Sequence, residues 1–183
     1  MADTLKSYVI GLDIGTSSLK LVVFNRIDNK IQLELKKSTQ EARISNNDDS
    51  SLHNEQHVGV ILELIQMLFV ELPSEYYEKL KGIQICGQMH GIVLWNTETK
   101  QHSNLITWQG KCTNEYPAFE MKPQRALFLD ARCTPEFLSN LPVKSLSELN
   151  AGYGCATLFW LRKFGDLTLY NSAGTIQDYV TFL

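Results

Sequence analysis

Apolar residues cluster first at Tyr8 to Leu12 and again at Leu19 to Phe24, two short runs separated by the small and hydroxyl-bearing residues Gly15, Thr16, Ser17 and Ser18. Runs of this length bounded by turn residues predict two strands joined as a hairpin. From Ile31 onward Ile31, Leu33 and Leu35 alternate with Gln32, Glu34 and Lys36, the period of a strand with one face in water. Three such strands in a row predict an antiparallel meander. Residues Ser45 to Ser51 are polar and acidic and predict a loop. Beyond them Val58, Ile61, Leu62, Ile65, Leu68, Phe69 and Leu72 fall on one face of a helix, and Pro73 stands where that helix should stop. Ile83 to Gly87 predicts a short buried strand and Ile92 to Trp95 another, with Gln88-Met89-His90-Gly91 as the turn between them. Thr134, Pro135 and Glu136 have the form of a helix start. A further helix runs from about Cys155 to Phe164 and ends at Gly165; Leu158, Phe159, Trp160 and Leu161 make it apolar all round, which predicts burial. Trp95 and Trp160 are read as core residues, and Asp178-Tyr179-Val180 enters a last helix.

Three meandering strands, a crossover helix and a further strand define an α/β order, of the kind seen in ribonuclease H-like and actin-like ATPase domains. The 183 residues, 44% hydrophobic and 20% charged, are enough to bury one core and fit one domain or part of a larger one. A formal net charge of -3 with dispersed lysines and arginines argues against a nucleic-acid partner. The first seven residues lack the apolar stretch of a signal peptide and no later run approaches a membrane span, so a cytoplasmic protein without a membrane partner is expected. Cys86, Cys112, Cys133 and Cys155 form no Cys-x-x-Cys pair and are read as reduced thiols.

The hairpin turn carries the first candidate chemistry. Asp13 closes the first strand, Gly15 admits close backbone approach, and the amides and hydroxyls of Thr16, Ser17 and Ser18 can point at phosphate oxygens. A carboxylate there suits Mg2+, which takes one or two carboxylates together with phosphate and retained water. The other reading of Asp-Ile-Gly-Thr-Ser-Ser is a loop whose side chains bond their own backbone.

Several ordered segments then resemble the FGGY carbohydrate kinases. Gly11 to Lys20 is similar to that family's first phosphate loop, and Glu55-Gln56 at the first helix, Cys86-Gly87-Gln88-Met89-His90-Gly91 and Trp108-Gln109 are similar to later signatures in the expected order. Gly154 to Leu161 and Ala173 to Val180 resemble the branch that acts on a seven-carbon ketose more than the pentulose branch. The resemblance implies an N-terminal domain of a two-domain kinase that transfers the ATP γ-phosphoryl group to a primary hydroxyl of a ketose and requires Mg2+. It implies that Asp13 acts through the metal, that Gly15, Thr16, Ser17, Ser18 and Lys20 contact the nucleotide, and that Gln88, Met89, His90, Asp130 and Arg132 contact the sugar. For Lys20 a solvated strand lysine is the other reading.

Two departures stand out. The family pattern expects Trp-Gln to run directly into Asp-x-Arg-Cys, and here Trp108-Gln109 is separated from Asp130-Ala131-Arg132-Cys133 by 20 residues, Gly110 to Leu129. Gly110-Lys111-Cys112 can be encoded by a run containing GTAAGT, so the segment reads either as a translated retained intron or gene-model error, or as a surface loop, which tolerates insertion; in either case a poorly ordered bulge is expected. The chain also ends at Leu183, before the position where the family supplies its aspartate base and its nucleotide-binding second domain. The expectation is a truncated kinase domain, 1–183, inactive alone. Two other readings are a non-catalytic sugar-binding or interaction fragment, and an actin-like or chaperone-like ATPase indifferent to ketose.

Overall fold

The computed structural model describes residues 6–44, 54–108, 133, 135–141 and 153–183. Strands β1 (Tyr8–Ile14), β2 (Ser18–Asn25) and β3 (Lys30–Ser38) form the expected antiparallel meander. Along β1 the residues Tyr8, Ile10, Leu12 and Ile14 are buried, and along β2 Leu19, Leu21 and Val23 are buried, so one face of the hairpin builds the core. The outer strand β3 keeps the period seen in the sequence, with Leu33 and Leu35 half-buried and Ile31 54% exposed at its start.

Two residues, Glu55–Gln56, form strand β4 immediately before helix α1 (Val58–Val70). The helix lays Val58, Ile61, Leu64, Ile65 and Leu68 against the sheet. Leu64, three residues from Ile61 and four from Leu68, belongs to the buried stripe, while Leu62 and Phe69 are its half-buried flanks. Pro73 ends the connection as expected, and it also opens a short helix α2 (Ser74–Glu78) that the apolar pattern does not announce.

Strand β5 (Leu80–Gly87) then joins β1 in parallel, giving the sheet order β3-β2-β1-β5. The expectation of a buried strand here is corrected: β5 is exposed along most of its length, with Ile83 47% exposed. Helix α1 packs over β2 and β3, while β5 stands at the edge of the sheet and is met by the seven-residue helix at 176–182.

Strand β6 (Val93–Trp95) is fully buried and pairs with β8 (Ser172–Gly174), while β4 pairs with β7 (Leu105–Ile106). Helix α3 (Pro135–Ser139) begins where the sequence places a start; Thr134, residues 45–51 and the segment 110–129 lie outside the described residues. Helix α4 (Gly154–Phe164) ends at Gly165 as expected, yet it is buried only at Gly154, Ala156 and Thr157. Phe159 is 42% and Phe164 57% exposed, a second correction. Cys133, Phe137 and Leu138, with Ile92 against Gly154, offer too small a surface to enclose a helix. Trp95 does lie in the core, beside Tyr179 and Phe182 with ring centroids 5.5 and 5.9 Å away; Trp160 is half-buried against Phe164.

Helix α5 (Ile176–Phe182) starts from a capping arrangement in which Asp178 Oδ2 accepts from the Thr175 backbone N–H at 2.8 Å and from its hydroxyl at 2.6 Å. Asp178→Ala removes both bonds and is expected to lower stability by about 1 kcal/mol. A lower urea midpoint at unchanged slope checks this.

Candidate functional site

Parallel pairing sets β1 and β5 side by side, with Ile14 in register with Gly87. The chain leaves both strands at the same edge of the sheet, and in open α/β sheets ligands bind outside the carboxyl ends of the strands. The hairpin turn at Gly15, Thr16 and Ser17 therefore opens next to the turn at Gln88 to Gly91.

Asp13 points to the face opposite Leu12 and Ile14. On that face Lys20 is its cross-strand partner, Nζ to Oδ2 3.6 Å, with both side chains about half exposed. On the other side stands Cys86, whose Sγ donates to Asp13 Oδ1 at 3.7 Å. Burial first, and then the Asp13 carboxylate, push the Cys86 thiol up, so it stays protonated at neutral pH and serves Asp13 as a donor. Among the described residues Cys86, Cys133 and Cys155 are not joined in disulfides, and Cys112 lies outside the described residues. Among the described residues no cluster of three or more His, Cys, Asp or Glu forms a metal cage. A half-exposed single carboxylate suits Mg2+ held jointly by substrate phosphate and water.

Next to Asp13 the turn is tied into a buried polar ring. The Thr16 carbonyl accepts from Thr39 Oγ1 at 2.7 Å and from Gln56 Nε2 at 3.0 Å. Gln88 Nε2 donates to Gln56 Oε1 at 3.2 Å, and the Thr16 hydroxyl donates to Gln88 Oε1 at 3.4 Å while accepting from Trp108 Nε1 at 3.0 Å. Thr39 and Gln56 are fully buried and Gln88 is 6% exposed. The ring joins three separate segments, the hairpin turn, β4 and the turn after β5, into one body. Further bonds run from Thr39 N–H to the Ser17 carbonyl, 3.1 Å, and from Gln88 N–H to the Ile14 carbonyl, 3.1 Å. With its hydroxyl and carbonyl both engaged, Thr16 acts here as a structural tie. Ser17 is exposed, and Ser18 is half-buried at the start of β2. Gly15 donates to the Ser18 carbonyl at 3.1 Å, and a Cβ at that position would lie 2.9 Å from the same oxygen, so the turn itself demands glycine.

In the second turn Met89 is 73% exposed, whereas His90 is half-buried and stacked on Tyr153. Gly91 is crowded: a Cβ there would stand 3.0 Å from both Gln88 Oε1 and Leu105 Cδ1. The structure thus brings Asp13, Gly15, Thr16, Ser17, Ser18, Lys20, Gln88, Met89 and His90 to one end of the sheet. Asp130 and Arg132 lie outside the described residues. Thr39 and Tyr153 drew no attention in the sequence, and Gln56 and Trp108 drew it only as matching signatures. Their roles arise from contacts across 23 to 92 residues of chain, which no local pattern reports.

The mixed sheet, with the turns after β1 and β5 at the ends of adjacent parallel strands, has the fold of an actin-like ATPase domain. The N-terminal domain model of the FGGY family of carbohydrate kinases matches residues 8–122, and the chain belongs to that family. It is 30% identical to sedoheptulokinase of Homo sapiens over 93% of this chain and 37% of the relative, and 33% identical to sedoheptulokinase of Mus musculus over 93% and 36%. The chain therefore spans little more than a third of the length of these relatives. Among solved structures it shares its fold with a gluconate kinase and a ligand-bound xylulose kinase from Lactobacillus acidophilus, at TM-scores of 0.67 and 0.66. These are 16% and 17% identical and are matched over 97% and 96% of this chain, about a third of their own.

Proposed function

We propose that this chain supplies the ketose turn and the phosphate-side hairpin for ATP-dependent phosphorylation of a ketose, sedoheptulose to sedoheptulose 7-phosphate. The observation that carries the reading is the polar ring of Thr16, Gln56 and Gln88, which locks the two turns together at one sheet edge. Phosphoryl transfer asks a protein mainly to hold two substrates in line and to neutralise developing charge. A rigid joint between the turn facing the sugar and the turn facing the phosphates meets the first demand. The choice of sedoheptulose rests on the two sedoheptulokinases matched over nearly the whole chain.

In this reading His90 exchanges a hydrogen bond with a ketose hydroxyl, Met89 packs on the carbon chain, and Ser17, Ser18 and turn amides face the phosphates. Asp13 would hold Mg2+, which when bound would supply charge neutralisation at the phosphoryl oxygens. Lys20, already paired with Asp13, adds positive charge on the same face. Neither Asp166 nor Asp178 is the base for the sugar hydroxyl. Hydrogen bonds from the Thr168 hydroxyl and amide hold the Asp166 carboxyl below its usual range, and Asp178 is spent on the cap of α5. By family resemblance the base lies in the part of the relatives' length that this chain does not span.

Calorimetric titration with sedoheptulose, alongside a coupled ADP-release assay, tests the proposal. The 183-residue chain is expected to bind the ketose, His90→Ala to weaken binding about tenfold, and neither to turn over. A form extended to the length of the relatives and lacking residues 110–129 is expected to turn over. No turnover in the extended form would sink the kinase reading, and ATP hydrolysis indifferent to ketose would favour the ATPase alternative.

A further inference from the structure

Tyr153 lies just before helix α4 and plays no part in the reading above. We infer that it is a positioning residue, which holds the His90 imidazole in a fixed plane at the ketose turn. The inference takes its ligand from the proposed function, while its geometry stands independently.

The two rings are stacked with centroids 4.7 Å apart and planes 27° from parallel. That is within the range of offset aromatic pairs. No hydrogen bond among the described residues holds the His90 ring, so the stack is what restrains it. Helix α4 is pressed onto the same turn by Gly154: a Cβ there would stand 2.6 Å from Ile92 Cδ1, 2.9 Å from Ile92 Cγ1 and 3.3 Å from the His90 carbonyl. The buried glycine thus sets how close Tyr153 comes to His90. A stacked ring has one face covered and its edge open, and both nitrogens of imidazole lie on that edge.

A preset imidazole loses less rotamer freedom when a hydroxyl binds, and ordering one side chain is worth about two- to tenfold in affinity. The positioning acts through the ring and not through the phenol hydroxyl. Phenylalanine at 153 should therefore suffice, and leucine should not.

The test uses the 183-residue chain, in which the signals of its four histidines are separated by the spectrum of His90→Ala. In the wild type the His90 ring protons are expected upfield, shifted by the Tyr153 ring current. Tyr153→Phe should keep that shift and bind sedoheptulose within about twofold of wild type, whereas Tyr153→Leu should lose the shift and bind about three- to tenfold more weakly. Tyr153→Gln makes the same comparison if the leucine variant does not fold. An unchanged His90 signal in the leucine or glutamine variant overturns the inference, and so does unchanged affinity alongside a wild type that binds. If the wild type does not bind sedoheptulose, the proposed function fails for this chain, and the His90 signal alone then decides the role of Tyr153.

Discussion

Glutamate in place of Gln56 is expected to destabilise the protein by about 3–5 kcal/mol at pH 8 and by far less at pH 4. Gln56 is fully buried, its Nε2 donates to the Thr16 carbonyl, and its Oε1 accepts from Gln88. An ionised glutamate keeps the acceptor but turns the donor into a second acceptor facing a carbonyl, and neither partner is a cation. A protonated glutamate can still donate to Thr16. In the Gln56→Glu variant the folded state therefore favours the protonated carboxyl and raises its pKa above the ordinary value. Between the unfolded and folded pKa values the folded state holds the extra proton. Stability then falls as pH rises from about 4.3, the ordinary glutamate value, and levels off above the folded pKa. Gln56→Leu is the control: it leaves Gln88 Nε2 without its acceptor, at a cost of about 1–3 kcal/mol at either pH. Urea unfolding of the three proteins at both pH values measures the effect. A Gln56→Glu protein with pH-independent stability would show that the ring is not closed.

Leu21→Ala is expected to cost about 3–4 kcal/mol, a large share of the total stability of an ordinary domain. Leu21 is fully buried in β2, between Leu12 of β1 and Leu35 of β3. Its neighbour Lys20 points to the other face, where it is exposed and paired with Asp13. Lys20→Ala should therefore shift stability by less than about 1 kcal/mol. The contrast between adjacent residues reads out the alternation of the strand. Equal effects in urea unfolding would mean that β2 is not set in the sheet in this register.

The hairpin was legible because its signal is local: two apolar runs of strand length, a turn of small residues, and one face of β1 and β2 buried at every second position. The stripe on α1 was legible for the same reason. Burial of β5 and α4 was not. Apolar residues such as Ile83 and Phe159 report what a strand or helix can bury, and only the position of the neighbouring layer reports what it does bury. The candidate site divides in the same way. Asp13, Gly15 and His90 stand in recognisable turns, but the ring of Thr16, Gln56 and Gln88, with Thr39 and Trp108 bonded to it, depends on side chains meeting from distant segments.

The sequence by itself determined the meander, the amphipathic crossover helix and the residue types of both turns, because periodicity and turn chemistry act over a few residues. Only the tertiary structure decided that Thr16 is tied inward, that Gln56 bridges the two turns, and that Tyr153 stacks on His90. Parallel pairing of β1 with β5 sets their ends side by side, and buried polar groups brought together there must find one another as partners.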